Sequence, residues 1–173
     1  MIATNKIKSV LFFCTANICR SVAAEYIAKW LKETTYKEEL KDVTFDSAGL
    51  YRYNEYSYEE TGNYLKLKGI DLADFKTKKI TPELVEKHDL ILGFEKNRHI
   101  RKLLRRFKTV KDLEKKTFLL LEFAGDSYNN QEIEDPLNFP AEKYKKTMEK
   151  IENGVLKTIE NIIKINQSQC SVI

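Results

Sequence analysis

Cys14 and Arg20 stand six positions apart in the run Cys14-Thr15-Ala16-Asn17-Ile18-Cys19-Arg20-Ser21. This spacing suits a loop whose backbone N–H groups curl inward around one anion. A helix starting near Ser21 would add unpaired donors and the positive end of its dipole. Phosphate is the natural guest, held by the backbone of Thr15, Ala16, Asn17, Ile18, Cys19 and Arg20. A free thiol titrates near ~8.5, and a helix N-terminus with a nearby cation pulls it down to roughly 3.5–7.5. Cys14 is therefore expected to attack as a thiolate at neutral pH. Arg20 can grip two phosphoryl oxygens at once, as lysine cannot, and places its charge where a phosphoryl transition state needs it. Ser21 can hydrogen-bond the sulfur and ease its departure. Asn17 can pin the loop through its amide and tolerates left-handed backbone angles. Attack on a phosphomonoester expels an oxyanion that needs a proton. The loop Glu132-Ile133-Glu134-Asp135-Pro136-Leu137 offers three carboxyls for that role, Glu132, Glu134 and Asp135. The residues alone do not choose among them.

Such a loop must be held by a strand before it and a helix after it. Residues 7–13 form a short apolar run ending at Cys14, which reads as a buried strand. From Ser21 the spacing turns helical, with Ala24, Ile27, Ala28 and Leu31 on one face and Glu25, Lys29 and Lys32 off it. Further strands are expected at 43–49, 89–94 and 117–121. Helices are expected at 59–68, from Thr81-Pro82 to about Lys87, at 96–106, and from Ala141 to about Ile165. Strands alternating with helices predict an α/β single domain: a four-stranded, parallel, twisted sheet covered on both faces, with the phosphate-binding loop after strand 1. The domain is expected to span residues 1–166, with 167–173 as a tail. The least regular stretch, 125–140, is a long polar loop of the kind that often carries function.

The 173 residues suit one domain with a real core. Thirty Lys and Arg against 26 Asp and Glu give a formal +4, too mild a bias to imply nucleic acid as a partner. One dense basic patch, 96–106, could face an acidic partner or nucleic acid, but reads as a solvated helix face. No apolar run reaches the ~18 residues of a membrane span, and residues 1–8 show neither the h-region nor the small-residue cleavage site expected of a signal peptide. Three cysteines, two of them on one loop, make no secreted disulfide framework and suit a reducing, cytoplasmic setting. His88 and His99 lack ligand-spaced partners, so no metal or other cofactor is expected. The C-terminal Cys170-Ser171-Val172-Ile173 superficially fits a prenylation box, but Ser171 is not aliphatic and Ile173 is not a usual last residue.

These residues resemble the low-molecular-weight protein tyrosine phosphatases over most of the chain. The family signature Cys-x-Gly-Asn-x-Cys-Arg-Ser-Pro corresponds to Cys14 through Val22, the family's Ser-Ala-Gly to Ser47-Ala48-Gly49, and its Asp-Pro to Asp135-Pro136. Gly69 to Leu72 and Leu84 to Leu92 keep the family's order and spacing. The resemblance implies hydrolysis of phosphotyrosine in proteins through a phosphocysteine, with Asp135 as general acid and then base. It implies supporting roles for Asn17, Ser21 and Ser47, and a reversible disulfide between Cys14 and Cys19 that guards the nucleophile. It places Tyr53 and Leu137 on the walls of the substrate slot. Leu137 stands where relatives often carry an aromatic residue, Ala16 replaces a glycine, and Val22 a proline. Residues 75–79 stand where relatives often have His-Arg-x-Arg-Gln, so the supporting hydrogen bonds are expected to differ. Ile18 is the residue tyrosine phosphatases tend to have, whereas phosphoarginine phosphatases tend to have threonine. The rival readings are a phosphoarginine phosphatase and a phosphate-binding module without turnover. A thiol-relay arsenate reductase needs cysteines in mid-chain, and none lies between Cys19 and Cys170.

Overall fold

The computed structural model describes residues 6–125 and 130–169; the C-terminal Cys170, with its prenylation-like ending, lies outside them. Four strands form one parallel sheet in the order β2-β1-β3-β4. They are β1 (Ser9–Cys14), β2 (Thr44–Gly49), β3 (Leu90–Gly93) and β4 (Thr117–Leu119). β1 and β3, in the middle of the sheet, are apolar without alternation because both faces are covered. Along β1, Val10, Phe12 and Cys14 point to one face and Leu11 and Phe13 to the other.

The first face carries α1 (Arg20–Thr34) and α6 (Ala141–Ser168), with α2 (Glu59–Lys66) and α5 (Leu120–Phe123) beside them. The expected stripe of Ala24, Ile27, Ala28 and Leu31 is buried there. The second face carries α3 (Pro82–Lys87) and α4 (Arg101–Arg106), which bury Val85 and Leu103. Thr81 caps α3, its side chain accepting from the Leu84 N–H at 3.3 Å, with Pro82 in the first turn. The long helix α6 runs through Ser168, so Gln167 and Ser168 are helical rather than tail.

Three local expectations are corrected. β4 stops at Leu119, because the Glu122 carboxylate reaches back to the Leu119 N–H at 3.2 Å and starts α5. The basic helix expected at 96–106 is broken: Lys96–Ile100 form a π-turn before α4 begins. There the N–H groups of both His99 and Ile100 donate to the Glu95 carbonyl, at 3.1 and 3.2 Å. Glu25, placed off the apolar face of α1, is nevertheless buried, at 3% exposure. It lies one turn after Ser21 and so faces the same way, toward the loop that follows β1.

The chain leaves β1 for β2 on one side and later returns to β3 on the other. The crevice at the carboxyl ends of β1 and β3 is thus the switch point where open α/β sheets bind ligands. Cys14 ends β1 at this point, and Glu95 follows β3.

Candidate active site

The segment from Thr15 to Cys19 wraps back from β1 to the first turn of α1. Its carbonyls turn outward: Leu50 N–H donates to Cys14 O, Tyr51 N–H to Thr15 O, Tyr58 N–H to Ile18 O and Ala23 N–H to Cys19 O, all at 2.9–3.0 Å. Among the described residues, none of the N–H groups from Thr15 to Cys19 donates to a protein acceptor. Outward carbonyls and unengaged amides make an anion nest. Asn17 supplies the left-handed residue of the turn, at φ 58°. Ala16 is not in the left-handed region, so its methyl introduces no backbone strain. The loop instead presses on Gly49. A Cβ there would lie 2.6 Å from the Tyr51 carbonyl oxygen, 2.7 Å from Ala16 C and 2.9 Å from Asn17 N.

Side chains brace the loop from beneath. The Cys14 sulfur lies 3.1 Å from the Ser21 hydroxyl. The Asn17 amide donates to Ser21 Oγ at 2.9 Å and to Ser47 Oγ at 2.8 Å, and its oxygen accepts from the Lys78 N–H at 2.9 Å. Ser47 in turn donates to Glu25 at 2.5 Å, and Lys29 pairs with the other Glu25 oxygen. Asn17, Ser21 and Ser47 are thus brought together. Phe75, where a histidine was expected in relatives, is buried edge-on to Tyr26. Support from that segment comes through the Lys78 backbone instead.

Arg20 is almost fully buried. Its Nη1 meets Glu95 Oε2 at 2.8 Å and the Ile133 carbonyl at 3.0 Å, and its Nη2 meets Asp135 Oδ2 at 3.1 Å. The Nε–H has no protein partner. Nε–H and the neighbouring Nη2–H lie on the same edge of the guanidinium, the fork that takes two oxygens of a phosphoryl group. A buried donor left unpaired costs about 1–3 kcal/mol, and an anion in the nest would relieve it. Asp135 itself sits in a turn closed by Leu137 N–H onto Asp135 Oδ1 at 3.3 Å. Of its rivals, Glu132 binds the Lys96 N–H and Glu134 pairs with Lys143, both away from Arg20.

A second buried group, His99, reaches the loop from the π-turn. Its Nδ1 accepts from the N–H groups of Phe94 and Glu95, at 3.0 and 3.2 Å. That fixes the proton on Nε2, which lies 3.2 Å from Thr15 Oγ1. Burial, then the positive charge of Arg20, pushes the imidazole pKa down to about 2. His99 is a neutral donor to the loop, and both of its nitrogens are engaged. His88 places Nδ1 2.6 Å from the Leu84 carbonyl, in the structural role expected of it. Among the described residues no group of three or more His, Cys, Asp or Glu could hold a metal, and no helix is long and apolar enough to cross a membrane.

Cys14, Thr15, Ala16, Ile18, Cys19 and Arg20 floor a cavity of about 230 Å³, walled by Tyr53, Asn54, Asp135 and Leu137. Every residue expected at the site lines this cavity or braces its loop. Cys19 is buried near the hydroxyls of Thr61 and Tyr144. Burial, reinforced by the Cys14 charge, pushes its thiol up to about 12. The residues that sequence reasoning missed are Glu25, Glu95 and His99. Glu25 was findable at i+4 from Ser21, and Glu95 from its place just past a strand end. His99 was not, because only the π-turn rotates it inward.

A thiol beneath an anion nest, a buried arginine fork and a loop carboxylate define a phosphate-handling α/β protein. The family model "Low molecular weight phosphotyrosine protein phosphatase" matches residues 9–168. The chain is 34% identical over 91 residues to the low molecular weight protein-tyrosine-phosphatase Ptp of Acinetobacter johnsonii, a match covering 52% of this chain and 58% of that relative. It is 30% identical over 154 residues to the probable low molecular weight protein-tyrosine-phosphatase AmsI of Erwinia amylovora, covering 88% and 96%. The AmsI crystal structure superposes with a TM-score of 0.72 at 27% identity, covering 89% of this chain and 92% of that one. The YwlE arginine phosphatase of Geobacillus stearothermophilus superposes with a TM-score of 0.77 at 25% identity, covering 96% and 97%. The chain belongs to the low molecular weight phosphotyrosine protein phosphatase family, a family of hydrolases.

Proposed function

We propose that this protein hydrolyses phosphotyrosine in cytoplasmic proteins through a phosphocysteine. The observation that carries the reading is the convergence of Cys14, the Arg20 fork and Asp135 on one cavity. The Cys14 thiolate attacks phosphorus while the nest amides and Arg20 bind the equatorial oxygens. The S–P bond forms, the P–O bond to the phenol breaks, and Asp135 gives its proton to the leaving oxygen. Asp135, now a carboxylate, takes a proton from water as that water attacks the phosphocysteine. Inorganic phosphate leaves, and Ser21 stabilises the departing Cys14 sulfur by hydrogen bond. Glu95 holds the guanidinium in orientation, and Asn17, Ser47 and Glu25 hold the loop. Val22, in the first turn of α1 where the family has proline, is fully buried.

Ile18 in the cavity floor and Tyr53 on its wall favour an aryl phosphate. The second reading, phosphoarginine hydrolysis, draws on the likeness to YwlE. If peroxide converts Cys14 to a sulfenic acid, Cys19 attacks it, water leaves and a disulfide forms. The raised pKa of Cys19 makes that step slow at neutral pH.

The test is a panel of phosphotyrosine, phosphoarginine and phosphoserine peptides with p-nitrophenyl phosphate, run on wild type, Cys14→Ser and Asp135→Asn. Cys14→Ser should abolish release, and Asp135→Asn should slow poor leaving groups most. Preference for phosphoarginine would replace the substrate assignment, and no release from any ester would sink the enzyme reading.

A further inference from the structure

Between Glu95 and Asp112 the chain carries eight Lys and Arg and no acidic residue. Helix α4 buries Leu103 against the sheet and leaves Arg101, Lys102, Arg105 and Arg106 exposed. Among the described residues none of these four forms an ion pair. Elsewhere on the surface, Lys115, Lys143, Lys145 and Lys146 each meet a carboxylate. The fold leaves this cluster of like charge uncompensated.

The cluster is joined to the active-site cavity through aromatic rings. Lys102 Nζ sits 5.8 Å from the Tyr51 ring centroid. Tyr51 stacks on Tyr53 at 5.8 Å and 28°, and Tyr53 walls the cavity above Cys14. Arg106 is fixed by its Nη1 donating to the Leu50 carbonyl at 2.7 Å. Together Leu50, Tyr51, Lys102, Arg105 and Arg106 line a shallow open hollow. The part of the rim around Asp135 carries no such excess, since Asp135 pairs with Arg20 and Glu134 with Lys143.

We infer that the surface formed by Tyr51, Lys102, Arg105 and Arg106 docks acidic side chains that flank the phosphorylated residue of the protein substrate. This rests on the phosphatase reading above and names which phosphoproteins that site takes. The positive rim attracts carboxylates on the Tyr51 side, and the paired charges around Asp135 offer no such attraction, so the charge pattern also favours one direction for the substrate chain. An extended chain advances about 3.4 Å per residue. Two ring steps from Tyr53 to Lys102 therefore place the docked carboxylates about three to five residues from the phosphotyrosine. Continuity with the cavity rim favours a substrate segment over a membrane or a nucleic acid, for which a patch remote from the site would serve as well.

The experiment measures fluorescence-anisotropy binding of phosphotyrosine peptides to the Cys14→Ser protein, which is expected to bind substrate without turning it over. One peptide set carries Glu or Asp three to five residues to either side of the phosphotyrosine, and the other carries Gln or Asn there. The acidic peptides should bind about three- to tenfold tighter, on the scale of two or three exposed ion pairs, with the advantage fading at 0.5 M salt. Adding Lys102→Glu and Arg105→Glu, or the milder Lys102→Gln and Arg105→Gln, should erase it. In otherwise wild-type protein the same changes should leave turnover of p-nitrophenyl phosphate intact. Equal affinity for both peptide sets, or a preference that survives these changes, overturns the proposal. So does tighter binding, through the same residues, to phosphatidylserine vesicles or a single-stranded RNA. Turnover of p-nitrophenyl phosphate by the wild type reports separately on the phosphatase reading.

Discussion

The floor and the rim of this site are built in opposite ways. On the floor, Cys14, Asn17, Arg20, Ser21 and Ser47 are buried, and each is held by at least one hydrogen bond or ion pair. On the rim, Tyr53 is 69% exposed and stacks on Tyr51, and Leu137 is 40% exposed with its N–H on the Asp135 carboxylate two residues before it. The floor must present donors to a small dianion whose geometry never varies, so each group is over-determined. The rim must admit different peptides and tolerates substitution. Changes on the floor should therefore act on kcat and on stability together, and changes on the rim on KM alone.

The harshest test of the floor is Gly49→Ala. The added methyl meets loop backbone at 2.6–2.9 Å, which no rotamer change can relieve. Displacement of a catalytic group by about 1 Å can cost 10²-fold, so turnover of p-nitrophenyl phosphate should fall at least that far, with a lower melting temperature. Activity within threefold of wild type would show that the loop does not depend on this contact. Asn17→Ala should come next. It removes three hydrogen bonds at about 1 kcal/mol each and puts alanine at a left-handed position. Asn17→Gly keeps the backbone while losing the amide, so the difference between the two variants isolates the strain.

The same contrast explains what could be read from the sequence. Apolar runs and helical spacing placed the sheet, its loop and Cys14, because burial imposes a period that composition reveals. The misplaced Glu25 shows the limit of that logic. A charged residue reads as exposed until Ser47, which lies twenty-two positions away in the chain, is known to meet it. Leu120 and Leu121 looked like strand because a buried short helix and a buried strand share one composition, and only Glu122 turning back settles it. The left-handed backbone angle falls on Asn17, a residue suited to it, and not on Ala16, which stands where relatives have glycine.

His99 offers a finer probe of the floor, through pH. Its folded pKa of about 2 lies below the unfolded value of 6.5, so below pH 6.5 the unfolded chain takes up a proton the folded one refuses. This stability is present above pH 6.5 and is lost as pH falls, at about 1.4 kcal/mol per unit. His88 is shifted the same way, so the variant must isolate one ring. In His99→Gln, unfolding free energies between pH 6 and 4 should slope less steeply than in wild type by about that amount. An unchanged slope would show that His99 titrates in the folded protein. A loss of kcat without a change in KM would mark its bond to Thr15 as positioning the loop.

The rim should answer most gently. Leu137→Tyr restores an aromatic wall opposite Tyr53, and aromatic contacts are worth about 0.5–1.5 kcal/mol beyond area burial. For phosphotyrosine peptides that corresponds to a KM lower by roughly two- to tenfold, with kcat and melting temperature unchanged. Tyr53→Ala should raise KM over a similar range. Both effects should be larger for phosphotyrosine than for phosphoarginine, because a phenyl ring buries more apolar area against the wall than a guanidinium does. If Leu137→Tyr lowers kcat instead, the new ring crowds Asp135 two residues away. The rim would then be part of the chemistry, and the division between floor and rim would fail at that point.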